Sequence, residues 1–350
     1  MILGTSFIHI ADIHMDQSFT TLAAKDGFPA LRRKEIFETF MNVLKRAENE
    51  DIDFIMISGD MYEHGYTNIK RINEINEQFK RIKGNIIIIS GNHDPEARNS
   101  YYCLFQWAKN VHILLRNEPS ICFTEQGICF HGIGFDTGGG QIRLLENIKT
   151  NEKMINVLLM HGDVDLNISG YNPIDSNILN SKAFDYIAMG HNHRMYVKSN
   201  IYNPGSLSPL GFDEPGEHGY FIGDFRSKKA EYVKNEGRKY VDISMSQEKL
   251  SLFNEMYPNK KDIYRIRVTG EKEENEISVD LFKEYDFVEV IDIRKIKAPN
   301  RTDGFQGIKG EYAGIIYGKL KIADEDKKVI YEDALRYGMM ALSNERLDIE

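Results

Sequence analysis

Cysteine is scarce in this 350-residue chain: Cys103, Cys122 and Cys129 are the only three, set neither at a metal-ligand spacing nor in an even number. The expectation is three reduced thiols in a cytoplasmic protein, because a chain this long can bury a substantial core without disulfides. Long apolar runs are also missing. None approaches the ~20 residues of a membrane span. The opening MILGTSFIHIADIH places His9 and Asp12 where a secretory leader would be apolar, so no membrane role is expected. Positive charge is in short supply too. Lysine and arginine number 44 against 53 acidic residues, giving a net charge of −9. The basic clusters are short: Arg32-Arg33-Lys34, Lys80-Arg81, Lys228-Lys229, Lys260-Lys261 and Arg294-Lys295-Ile296-Lys297. A broad nucleic-acid surface normally carries a basic face, since phosphate neutralisation supplies most of the affinity. Composition therefore argues against a chain that binds DNA unaided.

What the sequence does contain is a series of short apolar runs, each ending in polar residues: Phe7–Ala11, Phe54–Ser58, Ile86–Ser90, Val157–Met160 and Tyr186–Met189. Runs of this length, rich in isoleucine, suit strands buried on both faces. Between the first two, Leu31–Glu50 carries Ile36, Phe37, Phe40, Val43, Leu44 and Ala47 at helical spacing; Asn68–Lys83 does the same between the second and third. Strand and helix alternate, which implies a largely parallel, layered sheet. Past residue 115, Ile121–Phe123 and Ile128–Phe135 read as a hairpin around Glu125-Gln126-Gly127, and Gly138-Gly139-Gly140 as a flexible loop. The charged, loop-like stretch near 225–245 suggests a boundary, with a large domain over 1–235 and a smaller αβ region over 236–350. In that region Asp262–Thr269 and Phe287–Ile293 read as strands, Ser278–Glu284 as a polar helix, and Asp326–Asn344 as a tail helix with one apolar side.

Each of the five apolar runs delivers metal-competent side chains at its carboxyl end. In order these are Asp12 and His14; Asp60; Asn92, His93 and Asp94; His161; and His191 with His193. The last pair, in MGHNHRM, stands one residue apart, a spacing that lets two side chains at a strand end point the same way. A lone pair of this kind is more often a solvated loop. Ligands gather at the carboxyl ends of parallel strands, and five successive placements there point to one mixed oxygen and nitrogen site. No thiolate is among the donors, which disfavours soft metals and suits manganese, iron or zinc. These donors exceed the needs of one ion, and seven of them can serve two ions sharing a carboxylate.

The ordered blocks Asp12-x-His14, Gly59-Asp60, Gly91-Asn92-His93-Asp94, His161 and Gly190-His191-x-His193 resemble the calcineurin-like metallophosphoesterase superfamily. Over residues 5–225, the segments ADIHMDQSF, FIMISGDMYE and NPGSLSPLGFDEPGEHGYFIGDF are similar to the SbcD and YhaO type of DNA repair exonuclease subunit. The Asn203–Phe221 block is the most discriminating, because the wider superfamily does not require it. The resemblance implies an α/β fold, a layered α/β/β/α sandwich with a smaller C-terminal αβ cap. It implies two divalent ions, manganese foremost with iron, zinc or magnesium as alternatives. Asp12, His14, Asp60 and His193 would hold one ion, and Asp60, Asn92, His161 and His191 the other. His93 would be the catalytic acid, with Asp94 beside it and fixing it. DNA, an SMC-like coiled-coil ATPase of the SbcC type, and a second copy of the chain are the partners implied. Two features depart from the pattern. Asp16 stands where glycine is frequent, and Met61-Tyr62-Glu63-His64 replaces a more usual aromatic and Asp/His sequence, with His64 expected simply on a loop. The other histidines, His9, His112, His131 and His218, are expected to be structural or solvated.

Three functions compete on the sequence. The first is a metal-dependent DNA exonuclease or endonuclease acting in repair. The second is a phosphodiesterase or phosphatase of the same fold working on a small nucleotide or other phosphoester. The third is a non-catalytic metal-binding scaffold, disfavoured because no ligand position is missing.

Overall fold

The computed structural model describes residues 4–135, 145, 147–165, 171–180, 183–272, 277–296 and 308–342. The chain divides into two compact units, 1–241 and 242–350. The expected Gly138-Gly139-Gly140 loop lies outside the described residues.

The first unit is built on two six-stranded sheets. One has the order β12-β11-β1-β2-β3-β4, formed by β1 (Ser6–Ile10), β2 (Phe54–Ser58), β3 (Asn85–Ile89), β4 (Val111–Ile113), β11 (Gly219–Asp224) and β12 (Lys229–Lys234). β1 to β4 run parallel, and β11 returns antiparallel against β1. The other has the order β5-β6-β7-β8-β10-β9. Its strands are β5 (Ser120–Phe123), β6 (Ile128–Ile133), β7 (Ile155–His161), β8 (Tyr186–Gly190), β9 (Tyr196–Lys198) and β10 (Ile201–Asn203). Helix α1 (Phe28–Asn49) connects β1 to β2 and α2 (Ile69–Arg81) connects β2 to β3. The Asn68 side chain caps α2 by accepting from the backbone N–H of Lys70 and Arg71. Parallel strands joined through helices follow the right-handed crossover rule, under which two successive connections in one direction set both helices on one face of the sheet.

The parallel strands are apolar without interruption because both faces are covered. Phe7, Phe54, Met56, Ile87 and Ile89 of the first sheet pack between the sheets against Phe130, Val157, Leu159 and Ala188 of the second. Their alternate neighbours Ile55, Ile57, Ile86 and Ile88 are buried too, as are the helix residues Ile36, Phe40 and Leu44 of α1 and Ile72, Ile75 and Phe79 of α2. The outer face of the second sheet packs Leu158, Met160, Ile187 and Met189 against Leu145, Ile148 and Leu179. Helix, sheet, sheet and outer cover give the layered sandwich that the sequence implied.

Two expectations fail here. Cys122 and Cys129 are bonded as a disulfide. They lie directly opposite each other in the β5–β6 hairpin, so pairing brings two residues seven apart in sequence face to face; Cys103 alone is free. Cysteine usage thus gives no ground for a reducing compartment. The stretch near 225–245 is not a loop but β12 followed by β13 (Tyr240–Ser246). β12 alternates charged and half-buried residues at a sheet edge, a pattern that discourages edge pairing and hides the strand from a search for apolar runs.

The second unit contains a three-stranded sheet ordered β13-β14-β16, with β14 (Ile263–Thr269) parallel to β16 (Phe287–Asp292). β15 (Glu271–Lys272) and β17 (Lys295–Ile296) pair beside it in the chain. Phe253 meets Tyr264, Phe282 and Tyr285 in an aromatic core. The polar helix expected at 278–284 is a single tight turn, Val279–Phe282. The tail helix is present as α4 (Glu325–Leu342), preceded by an unforeseen α3 (Ile308–Leu320) that packs on it through Ala313, Ile316 and Leu335. Gly310, Gly314 and Gly318 depress the helical propensity of α3 and masked it. Among the described residues, no helix is long and apolar enough to cross a membrane.

His9 ties the two sheets together below the strand ends. Fully buried on β1, it sits 3.0 Å from the Tyr186 hydroxyl and 3.1 Å from the Met189 carbonyl oxygen. That carbonyl can only accept, so Nε2 carries the proton and Nδ1 accepts from Tyr186. Burial pushes the imidazole down to about 3, from an ordinary 6.5. Between these values the unfolded chain binds a proton that the native state refuses, so stability rises with pH across the window. Stability should therefore fall as pH drops from 6.5 toward 3, with His9 contributing up to about 1.4 kcal/mol per pH unit. Urea titrations of His9→Gln should show a flatter slope than wild type; identical slopes would remove His9 as the source.

Candidate metal centre

The strand ends turn by backbone conformations that are unfavourable for side chains with a Cβ. Asp12, His14 and Asp60 have φ of 49°, 51° and 50°, and His191 has 96°. Such left-handed residues cost about 1–3 kcal/mol each and persist where surrounding structure over-determines them. The N–H groups of Ile13 and His14 both donate to the Asp60 carbonyl at 2.9 Å, locking the first loop to the second. Asp16, at φ 66°, explains the frequent glycine at its position; aspartate is among the side chains that tolerate this region. Gly59, at φ 86°, is required twice over, since a Cβ there would run into the His161 ring.

Outer partners orient the imidazoles. His14 Nδ1 lies 2.8 Å from Glu63 Oε1, and His193 Nδ1 lies 2.6 Å from Glu214 Oε1. His161 Nδ1 donates to the Ser58 carbonyl at 2.9 Å. In each ring Nδ1 carries the proton, so the Nε2 lone pair is turned inward. The Nε2 atoms of His14 and His193 then approach to 3.1 Å. His161 Nε2 is 2.9 Å from Asn92 Oδ1 and 3.4 Å from Asp60 Oδ2. His191 Nδ1 is also 2.9 Å from Asn92 Oδ1, while its Nε2 is 3.6 Å from Asp163 Oδ1. Asp60 Oδ2 is 3.5 Å from His14 Nε2. Lone pairs and carboxylate oxygens converge on a small buried volume, an arrangement that repels itself unless cations or protons occupy it.

Electrostatics agree. Burial opposes the charge on Asp60, but His161, His14 and His93 hold its carboxyl well below the usual range. Burial also opposes protonation of His161, yet Asp60 and Asp12 lift it to about 9. His193 reaches about 9 in the same way, with Glu214 and Asp12 overcoming burial. Burial, then the charge of His161, lowers His191. The hydrogen bond to Glu63 raises His93.

Three groups of donors lie within metal-sharing distance: Asp12, His14 and His193; Asp12, Asp60 and His161; and His14, Asp60 and His93. With Asn92 and His191 beside His161, the structure brings together all seven anticipated ligand positions. His191 and His193 do not reach one point, however. His191 turns toward Asn92, and His193 toward His14, because the positive φ at His191 breaks the strand alternation beyond β8. Oxygen and imidazole donors, with no thiolate, fit hard or borderline divalent ions.

His93 stands at the edge, its side chain 40% exposed, with Nδ1 3.0 Å from Glu63 Oε2 and its backbone N–H donating to Asp60 Oδ1 at 2.7 Å. Asp94 was expected to fix it, but Glu63 does. Asp94 is fully buried and accepts from the backbone N–H of Asp60, Met61, Tyr62 and Gly91 and from the Tyr102 hydroxyl, at 2.6–3.2 Å. Its carboxylate splices the second loop to the third. The carboxylates Glu63, Glu214 and Asp163 escaped the sequence reasoning, although Glu63 lies three residues after Asp60 and Glu214 inside the discriminating Asn203–Phe221 block. His64 does sit on the loop, with its backbone N–H on the His93 carbonyl at 3.1 Å. His131 and His218 are buried in hydrogen bonds, to Ser120 and Ser206 respectively.

A layered α/β/β/α sandwich with Asp, Asn and His donors at the carboxyl ends of its strands defines a divalent-metal phosphoesterase. Residues 5–195, more than half of the chain, match the calcineurin-like phosphoesterase family, and the chain belongs to it. It is 24% identical to the uncharacterized metallophosphoesterase YhaO of Bacillus subtilis, over 63% of this chain and 58% of that protein. It is 23% identical to the DNA double-strand break repair protein Mre11 of Methanopyrus kandleri, over 69% of this chain and 57% of the relative. It is 24% identical to the SbcD subunit of the nuclease SbcCD of Staphylococcus saprophyticus, over 63% and 66%. The chain spans less than two thirds of the length of each.

Two outcomes follow from this geometry. Because His161 and His193 hold protons up to about 9 in the metal-free centre, metal must displace them, and affinity should rise with pH until that point. Calorimetry in buffers of different ionisation enthalpy should register proton release at pH 7.5; metal uptake independent of pH would contradict it. Asp94→Ala strands four buried N–H groups, and should destabilise the fold by about 3 kcal/mol or more, as read by urea unfolding. A loss under about 1 kcal/mol would mean water replaces the carboxylate.

Proposed function

We propose that the chain is a metal-dependent DNA phosphodiesterase that hydrolyses DNA at its ends, as an exonuclease or endonuclease subunit in repair. The observation that carries the proposal is a complete donor set with a half-exposed imidazole, His93, poised beside it on a carboxylate. The likeness to a break-repair protein and to a nuclease subunit supports DNA as the substrate. Asp12, His14, Asp60, Asn92, His161, His191 and His193 would hold two divalent ions; the mixed donor set suits manganese, iron or zinc, with manganese foremost by the family resemblance. Bound ions supply Lewis acidity at the phosphoryl group and an acidified water.

The chain's own part is to orient and to move protons. Asp60 fixes the backbone at His93 while Glu63 holds its Nδ1, leaving Nε2 to protonate the leaving oxygen of an in-line displacement. Asp94 keeps the two loops in register. The region 236–350 is assigned to the DNA-facing cap and to an SMC-like ATPase partner, in the cytoplasm. A subunit of net charge −9 would draw part of its DNA affinity from that partner, and a second copy of the chain is a further partner. The acidic charge is also the observation that favours the second function, hydrolysis of a small nucleotide or other phosphoester.

End-labelled linear DNA and bis-p-nitrophenyl phosphate, incubated with manganese, separate the two. Wild type should degrade DNA from its ends, and His93→Ala should lose roughly 10²–10⁴-fold in rate while keeping its metals. Cleavage of the small diester alone would move the substrate assignment to small phosphoesters. A fully active His93→Ala would remove His93 as the acid.

A further inference from the structure

The imidazoles around the centre are not held alike. His14 and His193 each turn Nδ1 to a carboxylate, Glu63 at 2.8 Å and Glu214 at 2.6 Å, and both carboxylates are nearly buried. His161 instead donates to a neutral carbonyl, Ser58, at 2.9 Å. The outer carboxylate of His191, Asp163, stands off at 3.6 Å. An anionic acceptor on the far nitrogen fixes the tautomer and strengthens the inward nitrogen as a donor. The two carboxylate-anchored rings fall in one donor group, Asp12-His14-His193; His161, held by a neutral carbonyl, falls in another, Asp12-Asp60-His161, with His191 beside it, and His14 also belongs to a third with Asp60 and His93. The shared carboxylates do not reverse the difference. Asp12 belongs to both groups, and Asp60 Oδ2 lies 3.5 Å from His14 Nε2 and 3.4 Å from His161 Nε2.

Glu214 is itself built in. Its second oxygen accepts from the Ser206 hydroxyl at 2.9 Å and from the Leu210 backbone N–H at 3.0 Å. Ser206 Oγ is 2.9 Å from His218 Nδ1, and His218 Nε2 lies 3.1 Å from the Glu214 carbonyl. Asn203 donates to the carbonyls of Asn192 and Arg194 at 2.7 and 2.8 Å, pinning the loop that carries His193. The 203–218 segment thus closes on one ligand.

We propose that the Asp12-His14-His193 subsite is the tighter of the two and fills first, and that Glu214 is the positioning residue that sets this order. The proposal rests on the centre being a two-metal site, as in the proposed function. The test is a manganese titration of the full chain, reading bound ions by calorimetry and free Mn2+ by electron paramagnetic resonance. Wild type should bind two ions in separable steps. Glu214→Gln should weaken the tighter step roughly 10–100-fold and leave the weaker one in place, whereas Asp163→Asn should leave the tighter step unchanged. If Glu214→Gln fails to fold by circular dichroism, Ser206→Ala keeps the carboxylate, loosens its anchor and should weaken the same step to a smaller degree. Two ions binding with one indistinguishable affinity, or a Glu214→Gln loss confined to the weaker step, would overturn the order alone. Failure of wild type to bind manganese at all would overturn the two-metal function with it.

Discussion

The crowding of acceptors around Asp60 is the constraint on which the rest of the first unit depends. Its Oδ1 takes the His93 backbone N–H, and its Oδ2 faces two imidazole nitrogens within 3.5 Å. Charges and lone pairs at these separations repel strongly where water is excluded, unless protons or cations lie between them. Nothing in the donor set would hold it together without a scaffold. Five parallel strands supply one, each buried on both faces, and the loops leaving them are spliced by backbone bonds and by the buried Asp94 carboxylate. The strain of Asp12, His14, Asp60 and His191 belongs to the same account, since only a rigid frame keeps non-glycine residues at positive φ.

What could be seen in the sequence follows from that architecture. Strands covered on both faces must be apolar throughout, so FIMIS and NIIII announce themselves, and the residue after such a run lies at the sheet edge by construction. That is why Asp12, Asp60, Asn92, His161 and His191 were legible as candidate ligands. The outer carboxylates were not. Glu63, Asp163 and Glu214 sit in polar loops where glutamate and aspartate are the default solvated residues, and only the fold shows which of them face an imidazole. Asp94 was misjudged for a related reason: adjacency to His93 in sequence suggested contact, but the two side chains leave the backbone in different directions. The Cys122–Cys129 pair required the hairpin register, and α3 was hidden by its glycines.

The Asn203–Phe221 block shows how a resemblance turns into chemistry. As a string it only narrowed the family. In the structure His218, Ser206 and Glu214 form a chain of hydrogen bonds whose end is His193 Nδ1, and Asn203 separately pins the loop that carries His193. A histidine reached through such a network presents one nitrogen in one direction, which a free loop residue does not. The block therefore belongs to the centre, although none of its residues is among the grouped metal donors.

Glu63 does something different, because its two oxygens serve two rings. Oε1 faces His14, a proposed ligand position, and Oε2 faces His93. A single carboxylate cannot turn toward one imidazole without leaving the other. The orientation of the proposed acid is thereby tied to that of a candidate metal-holding ring, and the ring contact between His14 and His93, with centroids 4.6 Å apart, adds a second tie. Glutamate suits the position better than a shorter acid would, since its extra methylene lets one carboxylate reach both Nδ1 atoms from the loop after β2. The departure from the family pattern at Met61-Tyr62-Glu63-His64 thus supplies the linkage that Asp94 was expected to make.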